Sequence, residues 1–220
     1  MIFGTFCLYL LLDRVYTLLK LITMNKSIIV LLDNGHGINT PGKCSPDKTL
    51  LEYKWAREIV DKLMVEFAKH GIKTIKLVPE DKDISLRERV RRANQHYKDN
   101  NKQAILISVH CNAAGADGKW HTANGWSVFV AQNASSNSKR LARNLYEEAE
   151  KRGLKGNRSA PKEKYWVQSL AMCRDTNCPA VLTENMFQDN KEDVALLLSE
   201  EGKKKIIDAH VQGVLNYLNG

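Results

Sequence analysis

Val30-Leu31-Leu32-Asp33-Asn34-Gly35-His36-Gly37 is an apolar run that stops at a histidine set between two glycines. The run reads as a buried strand. Gly35 and Gly37 allow a tight turn and a close approach to a ligand, which residues carrying a Cβ do not permit cheaply. Strand ends of open α/β sheets are where ligands bind. A lone histidine there is a weak signal, so its meaning depends on what the rest of the chain supplies.

Outward from this stretch, apolar runs alternate with helical patterns. Residues 27–32 form the first predicted strand, followed by a long loop over 33–48 of the kind that is more often functional than not. A helix is predicted over 50–69, stopped by Gly71, and a strand over 72–78, closed by Pro79. Ser85 opens a basic helix reaching about residue 97. Residues 104–109 form a near-continuous apolar strand, suited to burial on both faces. A glycine-rich loop over 113–124 leads to a strand over 125–131 and a helix over 138–152. After an exposed loop over 153–164 come a buried strand over 179–183 and two helices, 189–198 and 200–218. The expected fold is α/β: a single mixed, mostly parallel sheet with helices packed on both faces.

The 220 residues suit one sizeable domain. Residues 24–220 are expected to form it. Residues 2–12 are apolar, Asp13-Arg14 interrupts, and 15–23 are mostly apolar again. The first run has the length of a signal-peptide core but lacks a preceding basic segment and a small-residue cleavage site. It is too short and interrupted for a membrane span. Residues 1–23 are therefore expected to be an over-extended start ahead of Met24. An export signal or anchor is the alternative, and membrane association is expected only in that case. The formal charge of +8 favours an anionic partner, nucleic acid or cell envelope, and no nucleic-acid-binding signature is present. Five scattered cysteines make no disulfide framework, although Cys173 and Cys178 stand close enough in sequence to pair.

The partners for His36 come from three places. At roughly 100° per residue, Trp55, Ala56, Ile59, Val60, Leu63 and Phe67 share one helix face, and Glu52 falls in the middle of it. A carboxylate facing a core is expected only when paired or bound to metal. Thr49-Leu50-Leu51-Glu52 also has capping-box spacing, so Glu52 taken alone reads first as a cap, and its apolar-face placement together with two histidines tips the reading toward a ligand. His110 repeats the pattern of His36 at the end of a buried strand. Two imidazoles and one carboxylate with an open position match a catalytic Zn²⁺ site, whereas structural zinc sites are usually closed and cysteine-rich. Glu184 ends a third buried strand and suits the proton-transferring role that zinc hydrolysis requires; a strand-end ion pair is its plain alternative. Cys111 adjoins His110 but points to the opposite face, which argues against a thiol–imidazole pair. His70, His96 and His210 read as surface or packing residues, and His121 as a solvated loop residue.

Asp33-Asn34-Gly35-His36-Gly37, Glu52 at a helix head, Ser108-Val109-His110-Cys111-Asn112-Ala113 and Pro179-Ala180-Val181-Leu182-Thr183-Glu184-Asn185 together resemble the zinc-dependent N-acetylmuramoyl-L-alanine amidases. The resemblance runs from about residue 27 to the C-terminus. It implies zinc ligands at His36, Glu52 and His110, Glu184 as the catalytic carboxylate, and peptidoglycan as substrate. The bond cut would be the amide between the lactyl group of N-acetylmuramic acid and L-alanine, at the cell wall. A monomer is expected. Two positions depart from the family pattern: Asn34, where proline is common, and Cys111, where a small residue is usual. A zinc peptidase acting on stem peptides and a non-catalytic envelope-binding module are the alternatives.

Overall fold

The computed structural model describes residues 28–220, so the expectations for residues 1–23 lie outside the described residues. Six strands form one sheet: β1 (Ile29–Asn34), β2 (Thr74–Lys76), β3 (Ala104–Asn112), β4 (Ser127–Val130), β5 (Trp166–Val167) and β6 (Ala180–Phe187). Their order is β2-β1-β3-β6-β4-β5. β2, β1, β3 and β6 are parallel neighbours, β4 runs antiparallel to β6, and β5 lies parallel to β4. The helices are α1 (Glu52–Lys69), α2 (Leu86–Asp99), α3 (Ser136–Lys151), the short α4 (Ala171–Arg174), α5 (Lys191–Leu198) and α6 (Glu200–Asn219).

Strand alternation divides the core into two layers. Val30 and Leu32 of β1 pack with Trp55, Ile59, Leu63 and Phe67 of α1, in a layer that also holds Leu145 of α3 and Val214 of α6. Leu31 and Leu106 face the other way, toward Ala93 of α2 and Met172 of α4. Both faces of β1 are thus covered, which is why all six of its residues are buried. Among the described residues no helix is long and apolar enough to cross a membrane. Cys44, Cys111, Cys173 and Cys178 are all free thiols, so Cys173 and Cys178 are not paired.

The strands expected over 72–78 and 125–131 are shorter than their patterns, Thr74–Lys76 and Ser127–Val130, whereas the three central strands run further than their apolar runs. β1 continues through Asp33 and Asn34, β3 through His110 to Asn112, and β6 through Glu184 to Phe187. Asp33 and Asn34 are accommodated there by hydrogen bonds from Ser108 and Arg89 and to the Val78 carbonyl. Asn34, standing where the family commonly has proline, donates from Nδ2 to the Val78 carbonyl at 3.0 Å and ties β1 to the turn after β2.

The ends of β1 and β3 are held by one buried guanidinium. Arg89 of α2 is 2 % exposed. It donates to Asp33 Oδ1 at 2.7 Å, to the Asn34 carbonyl at 2.7 Å, to the His36 carbonyl at 3.0 Å and to Asp83 Oδ1 at 2.9 Å. The hydroxyl of Ser108 on β3 donates to the other oxygen of Asp33 at 2.5 Å. Removing one partner of such a buried pair strands the other charge without solvent, at a cost of about 3–5 kcal/mol. Arg89→Ala should accordingly lower the unfolding free energy obtained from denaturant titration by an amount in that range. Adding Asp33→Asn to it should restore part of the loss, since the stranded carboxylate is then gone. Equal losses for the single and double variants would refute the account.

Candidate metal centre

The site forms where β1, β3 and β6 end and α1 begins. His36 follows β1 in a left-handed backbone conformation, φ +58°. The expected role of the glycines is corrected here: neither Gly35 nor Gly37 has positive φ, and the histidine itself makes the unusual turn. The glycines are required for space instead. A Cβ on Gly35 would lie 2.3 Å from Cε1 of the His110 ring, and one on Gly37 would lie 2.0 Å from the Asp83 backbone nitrogen. A non-glycine residue at positive φ costs on the order of 1–3 kcal/mol and persists only where its surroundings enforce it. The enforcement is visible at the His36 carbonyl. It accepts hydrogen bonds from Arg57 Nη1 and Nη2, both at 3.2 Å, and from Arg89 Nη2 at 3.0 Å.

Glu52 is the first residue of α1 and is fully buried. It does not cap its helix: the start of α1 has no side-chain cap bond, and the Thr49 hydroxyl donates to Asp47 instead. Glu52 Oε1 accepts from the Cys111 backbone N–H at 3.0 Å and lies 3.1 Å from His110 Nδ1 and 3.4 Å from His36 Nε2. Its second oxygen, Oε2, is buried without a hydrogen-bond partner. The two imidazole rings meet edge to face with centroids 4.9 Å apart.

Glu184 stands directly beside His110, because β3 and β6 are parallel and pair these two residues in register. Neighbouring strands lie about 4.8 Å apart, so the carboxylate joins the cluster from the next strand. Glu184 Oε2 is likewise buried and unpartnered. Asn185, to which the sequence pattern assigns no role, braces this corner. Its Nδ2 donates to the His110 carbonyl at 2.9 Å, and its Oδ1 accepts from Trp126 Nε1 at 2.7 Å.

Burial and mutual charge sort these groups. Burial lowers His36 to about 4, against the pull of Glu52, leaving a neutral imidazole at neutral pH. Burial also presses on His110 and Glu52, but their mutual hydrogen bond and opposite charges outweigh it. His110 is raised and Glu52 lowered. Burial raises Glu184 to about 7, with Glu52 adding to the rise and His110 opposing it. The Cys111 thiol is pushed well above its ordinary value by burial and lies in the core, which removes it as a nucleophile.

The potential ligand atoms of His36, Glu52 and His110 all lie within 4.8 Å of one another. The shorter separations, 3.1 and 3.4 Å, fit donors about 2.0–2.2 Å from one ion. The unpartnered Glu52 oxygen and the nitrogen–oxygen donor set suit zinc equally well. The remaining histidines are elsewhere engaged. His121 pairs with Asp117 at 2.9 Å, and His210 is buried between the Ile206 carbonyl and the Thr183 hydroxyl.

Arg89 has a readable signal: it falls on the same stripe of α2 as Leu86, Val90 and Ala93, as Glu52 does on α1. Arg57 and Asn185 have none of comparable strength, since their roles depend on carbonyls from other elements.

A carboxyl raised from 4.5 to about 7 binds its proton more tightly in the folded chain than in the unfolded one. Its stabilising contribution is complete below about 4.5 and is lost as pH rises through 7. Glu184→Gln should therefore raise the Tm of the metal-free protein at pH 8, by about 4 °C or more, and leave it nearly unchanged at pH 4. An equal shift at both pH values would count against the burial account.

Residues 30–216 match the family model described as N-acetylmuramoyl-L-alanine amidase. The endolysin of Bacillus phage SPP1 is 29% identical over 197 residues, covering 88% of this chain and 67% of that protein. A probable cell wall amidase, LytH, of Staphylococcus epidermidis is 26% identical over 196 residues, covering 88% of this chain and 60% of its own length. The chain thus spans about two thirds of these relatives or less. Among solved structures, the N-acetylmuramoyl-L-alanine amidase of Clostridium difficile 630 superposes with a TM-score of 0.74 at 26% identity, covering 88% of this chain and 98% of that one. With the family model spanning nearly all of the sheet and its helices, the chain belongs to the N-acetylmuramoyl-L-alanine amidase family.

Proposed function

We propose that residues 24–220 are a zinc-dependent catalytic domain. It hydrolyses the amide between the lactyl group of N-acetylmuramic acid and L-alanine in peptidoglycan, acting at the cell wall as a monomer. The observation that carries this is the convergence of His36, Glu52 and His110, with Glu184 in register beside His110.

His36, Glu52 and His110 would hold the metal, which when bound supplies Lewis acidity toward an amide carbonyl and makes water a stronger acid. The protein's own groups do the rest. Arg57 and Arg89 hold His36 through its carbonyl, and the Cys111 N–H holds Glu52 by its Oε1. Glu184 takes the proton from the attacking water at its free oxygen and returns it to the leaving nitrogen. Burial, which raises this carboxyl in the metal-free chain, favours a group that does both near neutral pH, because general acid–base catalysis is most efficient when the pKa sits near the working pH.

Purified, zinc-loaded protein incubated with sacculi should release new L-alanine amino termini and free lactyl-muramic ends. Cuts confined to the stem peptide would mean a peptidase, and binding without products would mean an envelope-binding module. Metal analysis separates the roles. Glu52→Gln and His110→Ala should lose zinc, whereas Glu184→Gln should retain it and lose turnover by about 10²–10⁴-fold. Undiminished zinc content in Glu52→Gln would remove that residue from the ligand set.

A further inference from the structure

On the face of β6 opposite Glu184, a second set of polar residues lies inside the apolar layer shared by α1, α3 and α6. Thr183 and Asn185 of β6 and His210 of α6 are all fully buried, in a layer otherwise built from residues such as Val181, Leu145 and Val214. An apolar filling would cost such a layer little, because replacing all the partners of a buried hydrogen bond by apolar groups is close to neutral. What a fully partnered polar set adds is one enforced arrangement.

The partners allow a single assignment of protons. The Ile206 carbonyl can only accept, so His210 Nδ1, 2.8 Å away, carries the proton. Burial lowers this imidazole to about 4, so it is neutral at neutral pH and its Nε2 accepts. The Thr183 hydroxyl, 3.0 Å from Nε2, is therefore the donor. Its other acceptor, the Ser108 carbonyl, is farther away at 3.4 Å. With its proton committed, Thr183 Oγ1 accepts from Asn185 Nδ2 at 3.2 Å. That turns the amide so that Nδ2 also reaches the His110 carbonyl at 2.9 Å, while Oδ1 takes the Trp126 indole N–H at 2.7 Å. The Trp126 ring closes the circuit by meeting the His210 ring edge to face, with centroids 5.9 Å apart.

This chain of bonds ends where the sheet is irregular. β3 and β6 pair in register at His110 and Glu184 and then shift, so that Asn112 is paired with Phe187 and β6 carries one extra residue. Met186 takes up the extra length at φ +62°. A bulge disrupts the ladder locally, and the bond from the Asn185 side chain holds the His110 backbone at that step.

Resting on the reading of His110 as a metal ligand, we infer that His210 is a positioning residue for it. The imidazole on α6 sets Thr183, Thr183 sets Asn185, and Asn185 holds the His110 backbone. A helix that contributes no ligand thereby fixes how the His110 ring is presented.

Zinc affinity of the full chain, measured by competition with a chelating dye, reads this chain of bonds without turnover. His210→Leu and Thr183→Val should each weaken zinc binding about tenfold, the lower end of what removing an outer partner of a ligand costs. Thr183→Ser keeps the hydroxyl and should stay close to wild type. Because both losses break one chain, Thr183→Val/His210→Leu should bind no more weakly than the weaker single variant. A loss of about a hundredfold, the product of two independent effects, would overturn the inference. Wild-type zinc affinity in folded Thr183→Val and His210→Leu overturns it as well, whatever their stability, since a merely structural role predicts that result. Should His210→Leu not fold, Thr183→Val against Thr183→Ser decides. The His110 ring resonances of the zinc-free protein give a second readout, displaced in Thr183→Val and unmoved in Thr183→Ser. If wild type binds no zinc, the metal reading falls, and those resonances still decide whether the chain of bonds positions His110.

Discussion

The buried pairing of Arg89 with Asp33 is the constraint on which the site depends. Asp33 closes β1 at a point where both faces of the sheet are covered, so its charge has no access to water and must be met from within. Arg89 meets it, and the same guanidinium reaches past the strand end to the His36 carbonyl. Its planar fork of donors lets one residue serve two carboxylates and three carbonyls together, which a lysine could not do. Fold stability and placement of the first candidate ligand are thereby joined in one side chain. Arg57 adds a second hold on the same carbonyl from α1, so the left-handed turn at His36 is fixed from two helices.

Around that fixed histidine, two carboxylates acquire opposite characters. Glu52 and Glu184 are both buried glutamates, each with one orphaned oxygen. Glu52 also has a backbone N–H and two imidazoles against it, and these favour its ionised form. Glu184 has fewer compensating partners, so burial dominates and the proton is held to about 7. Environments that push equivalent groups apart let one site hold both a persistent anion and a carboxyl that keeps its proton to near neutral pH. The difference arises from strand register: β3 sets His110 between the two glutamates.

Much of this is legible in the order of residues. The alternation of apolar runs and helical stripes leads to a mostly parallel sheet covered on both faces, and the α1 stripe of Trp55, Ile59, Leu63 and Phe67 is buried as the periodicity requires. His36, His110 and Glu184 stand out as polar groups at the ends of apolar runs, and Glu52 as a carboxylate in the middle of an apolar helix stripe. The two short elements β5 and α4 leave no such trace, since two and four residues are too few to display a period. Apolar runs also end sooner than the strands they mark, because polar residues break the run whether or not pairing continues. The glycines flanking His36 suggest conformational freedom. What the fold needs from them is the absence of a Cβ, facing the His110 ring in one case and the Asp83 backbone in the other.

The amino-acid sequence by itself determined the alternating α/β pattern, the four candidate site residues and the misfit of a carboxylate on an apolar helix face, because these are properties of local spacing and residue chemistry. Tertiary structure alone decided that Glu52 serves the histidines rather than capping its helix, and that His36 and not its glycines takes the left-handed turn. It also decided that Arg57, Arg89 and Asn185 secure His36 and His110 through their backbone carbonyls. Each of these depends on contacts between residues distant in the chain, whose energies are settled only when burial removes water as the competing partner.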